Sequence, residues 1–421
     1  MFARLRKPEE SGWAEYIDQV RATLGAPHNP ALFPPHFLKA TFPEIGGELI
    51  EFFDERDIVA YGFLFPRAIE QGRRVYTLRY HAVPGKPAIP VSHVEVLAEA
   101  LLPNARIVHY DPCGPVEMPG SVLVPGELEI GRPNAAEAED LRRLQARIWG
   151  SDGDLLYPSD IHSLAFGAGT SLIARFEGKV VGFLFGFVRF GGPALPEAWA
   201  ARQRSDLRLE SQVLGTDPAV RGRGIGARLK QAQAVAAREL GIDLVSWTVD
   251  PLQLPNAILN IGTLGAVSCE FHPNWYAFQN ELNQVPASRL GMTWLVNGER
   301  AISQPRAERI VDLALRPDIV RLNDGARLVA DPRSLPAGAP VAIEIPQNWT
   351  ALQSLDYETA WFWRQTTDRL LSALLGNGDD RYMITAVGRD GERAFLIAEP
   401  TALATAGEHA LAVAASQPSA A

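Results

Sequence analysis

Cysteine is scarce in this sequence, with two residues among 421. Cys113 and Cys269 lie far apart, and neither belongs to a Cys-x-x-Cys pair. The spacing therefore predicts neither a disulfide framework nor a zinc site, and we assign no metal ligands.

Long apolar runs are missing as well. No stretch approaches the roughly 18 uninterrupted apolar residues that a membrane-spanning helix needs, and the first residues contain no apolar core of signal-peptide length.

Positively charged residues are outnumbered by negatively charged ones. The sequence has 40 Lys and Arg and 49 Asp and Glu, for a formal net charge of −9. Nucleic acids and anionic membranes attract concentrated positive charge, so we expect the protein to bind neither. Because the sequence shows neither a membrane span nor a signal peptide, we expect it to be cytoplasmic. Nothing in the pattern sets the oligomeric state.

The chain is long enough for two or three domains, each with its own core. Pro and Gly concentrate at residues 112–120 and 124–126, which predicts a linker and places a domain boundary near Leu128. We expect an N-terminal α/β domain at 1–127, a central domain at 128–290, a C-terminal α+β extension at 291–405 and a disordered tail at 406–421.

The central domain alternates helix and strand patterns. Asn134-Ala-Ala-Glu137 has the form of a capping box before a helix that stops at Gly150. Residues 171–176 and 180–188 predict a hairpin, and 207–216 the next strand. The pattern then predicts a helix at 225–240, a strand at 243–249 and a helix at 255–264. In the extension we expect strands at 341–345 and 382–387 and a helix at 356–375.

An internal repeat links the N-terminal and central segments. Both contain a predicted hairpin with the tetrapeptide Gly-Phe-Leu-Phe, at residues 62–65 and 182–185. The N-terminal copy continues with a strand at 75–83, a helix at 91–102 and a strand at 105–110. Its tract Pro84-Gly-Lys-Pro87 stands where the central copy has a glycine loop. The N-terminal segment is thus either a degenerate copy of the central fold or an unrelated hairpin that shares a common apolar tetrapeptide.

The loop Arg221-Gly-Arg-Gly-Ile-Gly226 lies between a predicted strand and a predicted helix. Glycines let successive backbone N–H groups converge on one point, and the helix start adds free N–H groups and the positive end of its dipole. With Arg221 and Arg223 beside it, this arrangement suits a pyrophosphate. A tight turn without a ligand is the alternative, although three alternating glycines and two arginines exceed what a turn requires.

Two other phosphate-binding loops compete for this tract. A nucleoside-triphosphate P-loop needs Gly-x4-Gly-Lys-Ser/Thr, which is absent. The dinucleotide fingerprint is matched by Gly222, Gly224 and Ala227, with Asp250 where a ribose-binding acid is expected. That fingerprint follows directly on a strand, however, whereas Asp217-Pro-Ala-Val220 intervenes here.

The tract Asp217 to Gly226 resembles the cofactor loop of the GNAT superfamily, Gln/Arg-x-x-Gly-x-Gly/Ala, after a strand that ends in an x-Pro step. This resemblance implies a GNAT acyltransferase fold, with a mixed central sheet that splays at the coenzyme A site. Further segments resemble a poorly characterised bacterial GNAT-like family, and together they cover roughly residues 128–400: Trp247–Ala257, Leu264–Ala266, Pro273–Tyr276, Leu282–Arg289, Ile345–Trp349 and Ala351–Gln353.

The resemblance also implies how acyl-CoA binds. The pantetheine arm would pair with the backbone of Leu214 and Thr216 on the strand before the loop. The pyrophosphate would lie on the loop residues Arg221, Gly222, Arg223, Gly224, Ile225 and Gly226. Asn256 resembles the superfamily's Asn that contacts pantetheine, and a helix cap is its alternative role.

Catalysis by direct attack of an amine on the thioester requires an unprotonated amine and a stabilised thiolate. Glu210, on the strand beside the cleft, is our candidate base, with a solvent-facing carboxylate as the alternative. Many GNAT enzymes carry a Tyr acid where this sequence has Ile261, and Tyr276 is the substitute candidate, with simple packing as its alternative.

The sequence therefore predicts an N-acyltransferase that transfers acetyl from acetyl-CoA to a small-molecule amine or a protein amino group. A non-catalytic acyl-CoA-binding module is the second hypothesis, supported by Ile261. An NAD-type dinucleotide-binding protein is the third.

Overall fold

The computed structural model describes residues 1–114, 117–149, 153–201, 203, 205–276, 284–302, 309–378 and 380–406, with only the backbone of Tyr276 and Ala406. The chain forms two compact units. The first comprises residues 1–192 and 206–242, and the second comprises residues 193–205 and those from 243 onward.

The strands and helices of the described residues are as follows. The strands are β1 (Phe2–Arg6), β2 (Glu48–Asp54), β3 (Asp57–Glu70), β4 (Arg73–Ala82), β5 (Ala105–Tyr110), β6 (Leu128–Gly131), β7 (Gly169–Phe176), β8 (Lys179–Phe190), β9 (Leu207–Thr216), β10 (Leu244–Val249), β11 (Val267–Tyr276), β12 (Ala287–Leu295), β13 (Ile310–Asp312), β14 (Val320–Arg321), β15 (Asn323–Asp324), β16 (Arg327–Leu328), β17 (Val341–Ile345), β18 (Tyr382–Asp390) and β19 (Arg393–Pro400). The α-helices are α1 (Trp13–Thr23), α2 (Phe42–Glu44), α3 (Val91–Leu101), α4 (Ala135–Trp149), α5 (Glu197–Ala200), α6 (Ile225–Glu239), α7 (Leu254–Ala257), α8 (Glu299–Ile302), α9 (Trp349–Leu355), α10 (Tyr357–Leu374) and α11 (Thr401–Ala406).

Helix α4 begins as its sequence predicts. The Asn134 side chain accepts a hydrogen bond from the Glu137 N–H at 3.0 Å, and the Glu137 carboxylate accepts one from the Asn134 N–H at 2.8 Å. This reciprocal capping box satisfies two amides that the first helical turn leaves unpaired. Arg175 on β7 also holds the Glu137 carboxylate, which fixes the start of the helix against the sheet.

The first unit contains two groups of strands with the same order of elements. Strands β1 to β5 form one sheet in sequence order, antiparallel except for the parallel pair β4 and β5. Strands β6 to β9 are antiparallel neighbours. In the N-terminal half a strand and a helix precede a hairpin, and the hairpin is followed by a third strand and then a helix and a strand. The central half repeats this order as far as α6, and the strand that follows α6, β10, belongs to the second unit. The hairpin–strand–helix–strand order predicted for the N-terminal segment is present.

Aromatic rings from both halves share one core in the first unit. Phe37 packs against Phe187 with ring centroids 4.7 Å apart, and Phe65 stacks on Phe187 at 5.9 Å. Because each fully buried Phe contributes roughly 1.5–3 kcal/mol, this cluster joins the N-terminal segment firmly to β8 of the central segment.

A buried ion pair reinforces this connection. The fully buried guanidinium of Arg79 on β4 pairs with both oxygens of Asp160, and the Tyr110 hydroxyl donates to the same carboxylate at 2.8 Å. Asp160 follows the predicted boundary at Leu128, while Arg79 and Tyr110 precede it. The first compact unit therefore spans that boundary, and the proposed domain limits stay a prediction.

The second unit is a mixed sheet with helices packed on it. Its strand order is β14-β17-β19-β18-β11-β12-β10, with β13 paired in parallel to β18. Helix α10 begins at Tyr357 because the Asp356 side chain caps it, accepting from the Thr359 N–H at 3.0 Å. The buried Arg364 of this helix pairs with Asp250 at 2.6 Å. Both units thus combine helices with strands, and the predicted mixed α/β class is confirmed.

Several local predictions need adjustment. The helix predicted at 255–264 is α7 followed by a wider, π-helical segment, Ile258–Thr263. Strand β1 and helices α1 and α9 were not predicted, and the proposed limit between residues 290 and 291 falls inside β12. The disordered tail was predicted from residue 406. Ala406 is the last residue of α11, and residues 407–421 lie outside the described part of the chain. Among the described helices, none is long and apolar enough to cross a membrane.

Candidate functional site

The glycine loop has the backbone geometry that its sequence predicts. Gly222 and Gly224 adopt left-handed conformations, with φ of 85° and 71°. Gly224 is the N-cap of α6, so the first amides of that helix have no intrahelical partner. Apart from the adjoining residues of the chain, no atom lies within 4 Å of where a side chain would begin at Gly222 or Gly224. The loop is therefore an open turn of backbone amides at a helix N-terminus, which suits an anion.

Contacts just before the loop and at Arg223 hold this loop in place. The Asp217 N–H donates to the Val181 carbonyl on β8 at 2.8 Å, and the Asp217 side chain accepts from the Ala219 N–H at 3.0 Å. Arg223 is exposed and lies over the Phe176 ring, 4.5 Å from its centroid. Arg221 is also exposed. Both predicted arginines are available to a phosphate group.

Strand β9 carries the predicted pantetheine contacts Leu214 and Thr216, both half-buried. Their backbones face Leu184 and Gly182 in the register with β8. That pairing is antiparallel. The dinucleotide-binding hypothesis needs the strand before the loop to lie among parallel strands, and the antiparallel pairing with β8 argues against it.

A β-bulge interrupts β9 next to the candidate base. Phe187 faces Glu210 and Phe185 faces Val213, so two residues of β9 oppose the single Gly186 of β8. A Cβ atom at Gly186 would meet the Glu210 carbonyl oxygen at 2.8 Å. The bulge therefore depends on glycine at this position, and it turns the strand locally, as bulges next to functional sites do.

Glu210 is not a simple solvent-facing carboxylate. Its side chain is 15% exposed, and its Oε2 accepts a hydrogen bond from Nη1 of Arg189 at 3.0 Å. Nη2 of Arg189 donates to the main-chain carbonyl of Glu44, in the N-terminal half, at 2.8 Å. The sequence predicted that Glu210 lies on this strand. It gave no signal for the contact of Arg189 with Glu210 or with Glu44, because these residues are distant in the chain.

Lys230 on α6 is a further group that the sequence did not reveal. It is 3% exposed, and its Nζ donates to the Ser211 hydroxyl at 2.8 Å, within the bulge of β9. Burial lowers the pKa of Lys230 to about 7, against the opposing effect of Glu210. An amine that titrates near neutrality thus lies under the strand that carries Glu210.

The remaining predicted residues belong to the second unit. Asn256 is the third residue of α7, and Gln253 occupies its cap position, so the helix-cap role proposed for Asn256 is wrong. Ile261 is 1% exposed and lies in the core. Tyr276 is the last residue of β11, where its backbone pairs with Ala287. The pantetheine contact proposed for Asn256 and the proton-donor role proposed for Tyr276 stay predictions.

Comparison with known proteins identifies the central part of the chain. Residues 138–258 match the sequence model of the Acetyltransferase (GNAT) family. This range begins in α4 and includes β9, the glycine loop and α7. The chain therefore contains a GNAT superfamily acetyltransferase domain. The finer resemblance to one bacterial GNAT-like family stays a prediction.

Solved structures similar to this chain carry related names. A putative acetyltransferase from Salmonella typhimurium, solved with its cofactor acetyl-CoA, is 14% identical, with 41% of this chain and 95% of that chain covered and a TM-score of 0.31. A GNAT-family acetyltransferase from Streptococcus pneumoniae is 16% identical, covering 40% and 99%, with a TM-score of 0.32. Diaminobutyrate acetyltransferase from Paenibacillus lautus, in complex with L-2,4-diaminobutyric acid and coenzyme A, is 17% identical, covering 41% and 97%, with a TM-score of 0.29. No curated protein matches the chain.

Proposed function

We propose that this protein is an N-acetyltransferase that moves the acetyl group of acetyl-CoA to a primary amine of a small molecule or a protein. The observation that carries the proposal is the loop from Arg221 to Gly226, an open turn at the N-terminus of α6 within a matched GNAT domain. Its amides and two exposed arginines are suited to the pyrophosphate of coenzyme A. The backbone of Leu214 and Thr216 would then receive the pantetheine arm.

In the proposed reaction the acceptor arrives as an ammonium and must lose a proton before it attacks the thioester carbonyl. Glu210, directly or through a water, takes that proton. A backbone N–H of β9 polarises the carbonyl oxygen as negative charge develops on it. The C–N bond then forms as the C–S bond breaks, and the nitrogen loses a second proton to water or to the departing sulfur as it becomes the amide. Coenzyme A leaves as a thiolate or, with that proton or one from Tyr276, as a thiol.

The second hypothesis is a non-catalytic module that binds acyl-CoA through the same loop. The observation that favours it is the buried Ile261, which stands where many GNAT enzymes have a Tyr acid. A thiolate can leave without a proton donor, so this substitution does not remove activity by itself.

The test is release of free thiol from acetyl-CoA in the presence of a panel of amines, amino acids and peptides. We expect at least one acceptor to release thiol well above the rate with acetyl-CoA alone, and mass spectrometry to find that acceptor heavier by one acetyl group. Tight binding of acetyl-CoA without release for any acceptor would support the binding module. Absence of acetyl-CoA binding, measured by calorimetry, would reject both hypotheses.

A further inference from the structure

Two polar side chains of α6 reach the sheet inside an apolar interface. The helix packs on β7 and β8 through a cluster of apolar side chains that includes Leu172, Leu184 and Leu229. Lys230 and Gln233 are buried on the same side of the helix. Burial of an amine and an amide costs free energy that aliphatic side chains would not cost. We therefore expect these two groups to have a role other than stabilising the fold.

Both side chains contact the strands at the β-bulge. Lys230 donates to the hydroxyl of Ser211, one of the two residues of β9 that oppose Gly186. Gln233 crosses Gly186, where a Cβ atom would meet its Nε2 at 2.8 Å, and it donates to the Thr170 hydroxyl on β7 at 3.0 Å. Helix α6 thus holds β7, β8 and β9 together at the level of the bulge.

The bulge lies between two parts of the proposed acyl-CoA site. Glu210, the candidate base, directly precedes Ser211, and Leu214, a proposed pantetheine contact, follows three residues later. Successive side chains of a strand point to opposite faces of the sheet. Ser211 accordingly contacts α6, while Glu210 bonds to Arg189 of β8. The hydrogen bond from Lys230 therefore holds β9 on the face that the candidate base does not use.

The same helix begins at the proposed pyrophosphate site. Lys230 lies six residues after the N-cap Gly224, which is about 9 Å along the helix axis. The backbone hydrogen bonds of a helix keep so short a distance constant. Helix α6 thus sets the position of the bulge relative to the loop that would hold the pyrophosphate.

We propose that Lys230 is a positioning residue, which holds the bulge of β9 where a backbone N–H of that strand meets the thioester carbonyl and Glu210 meets the acceptor amine. This inference rests on the proposed acetyl transfer. Lys230 itself is buried beneath the strand and contacts no reactant. Gln233 supports the same arrangement from the side of β7.

The kinetic test compares Lys230→Met with Gln145→Met. Gln145 is buried on α4, which packs on the opposite face of the same sheet, so both substitutions replace a buried polar side chain by an apolar one. With an acceptor found in the thiol-release panel, we expect Lys230→Met to lower kcat about tenfold to a hundredfold, because a small displacement of an oriented group has an effect of this size. The dissociation constant of acetyl-CoA, measured by calorimetry, should stay within about twofold of wild type. A kcat for Lys230→Met equal to that of Gln145→Met would overturn the proposal.

The hydroxyl partner supplies a second set of variants. Ser211→Ala removes the acceptor of the Lys230 hydrogen bond, and Ser211→Thr keeps a hydroxyl. We expect Ser211→Ala to lower kcat as Lys230→Met does, the double variant to be no slower than either single one, and Ser211→Thr to recover most of the rate. Independent losses that add in the double variant would contradict the proposal. The Ser211 variants also decide the question if Lys230→Met does not fold.

Hydrogen exchange tests the arrangement without turnover. Mass spectrometry follows deuterium uptake in peptides that cover residues 207–216, in wild type, Lys230→Met and Gln145→Met. We expect exchange in this stretch to become about fivefold faster or more in Lys230→Met, because a strand that has lost a buried hydrogen bond opens more often, and to stay at the wild-type rate in the control. Unchanged exchange would reject the proposal even if the enzyme transfers acetyl groups. Faster exchange in a protein that never releases thiol would keep Lys230 as the support of the bulge and reject only the proposed acetyl transfer.

Discussion

Arg189 donates one hydrogen bond to the carboxylate of Glu210 and another to the main-chain carbonyl of Glu44. One guanidinium on β8 thus fixes the side chain of the candidate base and the end of α2 at the same time. Because both nitrogens are occupied, neither group can move without losing a charged hydrogen bond. The position of Glu210 is therefore determined by both halves of the first unit.

Replacement of Glu210 by Gln should slow acetyl transfer without affecting acetyl-CoA binding. Loss of a positioned base typically lowers the rate by about a hundredfold to ten-thousandfold, and the defect should shrink in alkaline buffer, where free amine accumulates. Thiol release measured as a function of pH checks this, with Glu239→Gln at the exposed end of α6 as the control. A Glu210→Gln variant equal to wild type at every pH would move the base role to another group or to water.

Gly224→Asp should reduce coenzyme A binding below detection. The substitution places a side chain and a negative charge in the open turn where the pyrophosphate is expected. Gly241→Asp is a matched control, since Gly241 has the same left-handed φ of 71° and open surroundings but lies beyond the other end of α6. Calorimetry on folded protein should find wild-type affinity in the control alone. Unchanged affinity in Gly224→Asp would remove the loop from the site.

One coenzyme A should bind per chain, although the order of elements is duplicated. In the N-terminal half the tract from Pro84 to Pro87 replaces the glycine loop, and α3 begins after Pro90 without a side-chain cap. A proline has no N–H to offer to a phosphate. Titration calorimetry should give a stoichiometry of one for wild type and no binding for Gly224→Asp. Two equivalents per chain would mean that the N-terminal half has kept a site.

Lys230 should make the free energy of unfolding depend on pH above neutrality. Its pKa is lowered to about 7 in the folded protein, whereas an unfolded lysine titrates near about 10.4. Between these values the unfolded chain binds a proton that the folded chain does not, so the contribution of Lys230 to stability rises with pH, by at most about 1.4 kcal/mol per pH unit. Below about pH 7 both states bind the proton and the contribution levels off.

Denaturant unfolding of wild type and Lys230→Met measures this effect. The stability of wild type relative to the variant should increase from about pH 7 to about pH 10. The exposed Lys179 provides the control, since Lys179→Met should show no such change across the range. A constant difference between wild type and Lys230→Met would mean that Lys230 titrates at an ordinary pH.

Asp160→Ala should destabilise the first unit by about 3–5 kcal/mol, because it leaves the fully buried Arg79 without its counter-charge. Asp57→Ala removes a surface ion pair with Lys86 and should cost far less than Asp160→Ala, because water screens an exposed pair. Chemical denaturation of both variants tests the comparison. Similar small losses would show that Arg79 finds another partner, and that the pair does not hold the N-terminal segment to the central one.

Local sequence determined much of the secondary structure. The capping box of α4 needs only Asn134 and Glu137, three residues apart, and both hydrogen bonds form as the pattern predicts. Strand β9 has the predicted bounds, and Gly224 ends the loop in a left-handed conformation that glycine adopts easily. Such features were predictable because they depend on residues within one or two turns of chain.

Tertiary structure decided how the candidate site is built. Glu44 and Arg189 are 145 residues apart, and no periodicity or motif relates them. The burial of Lys230 follows from packing of α6 against a bulged strand, which the apolar pattern of the helix does not specify. The sequence by itself therefore determined the loop and the strand that carries Glu210. Only the folded chain, through one shared aromatic core and a buried ion pair, brought the N-terminal half against them.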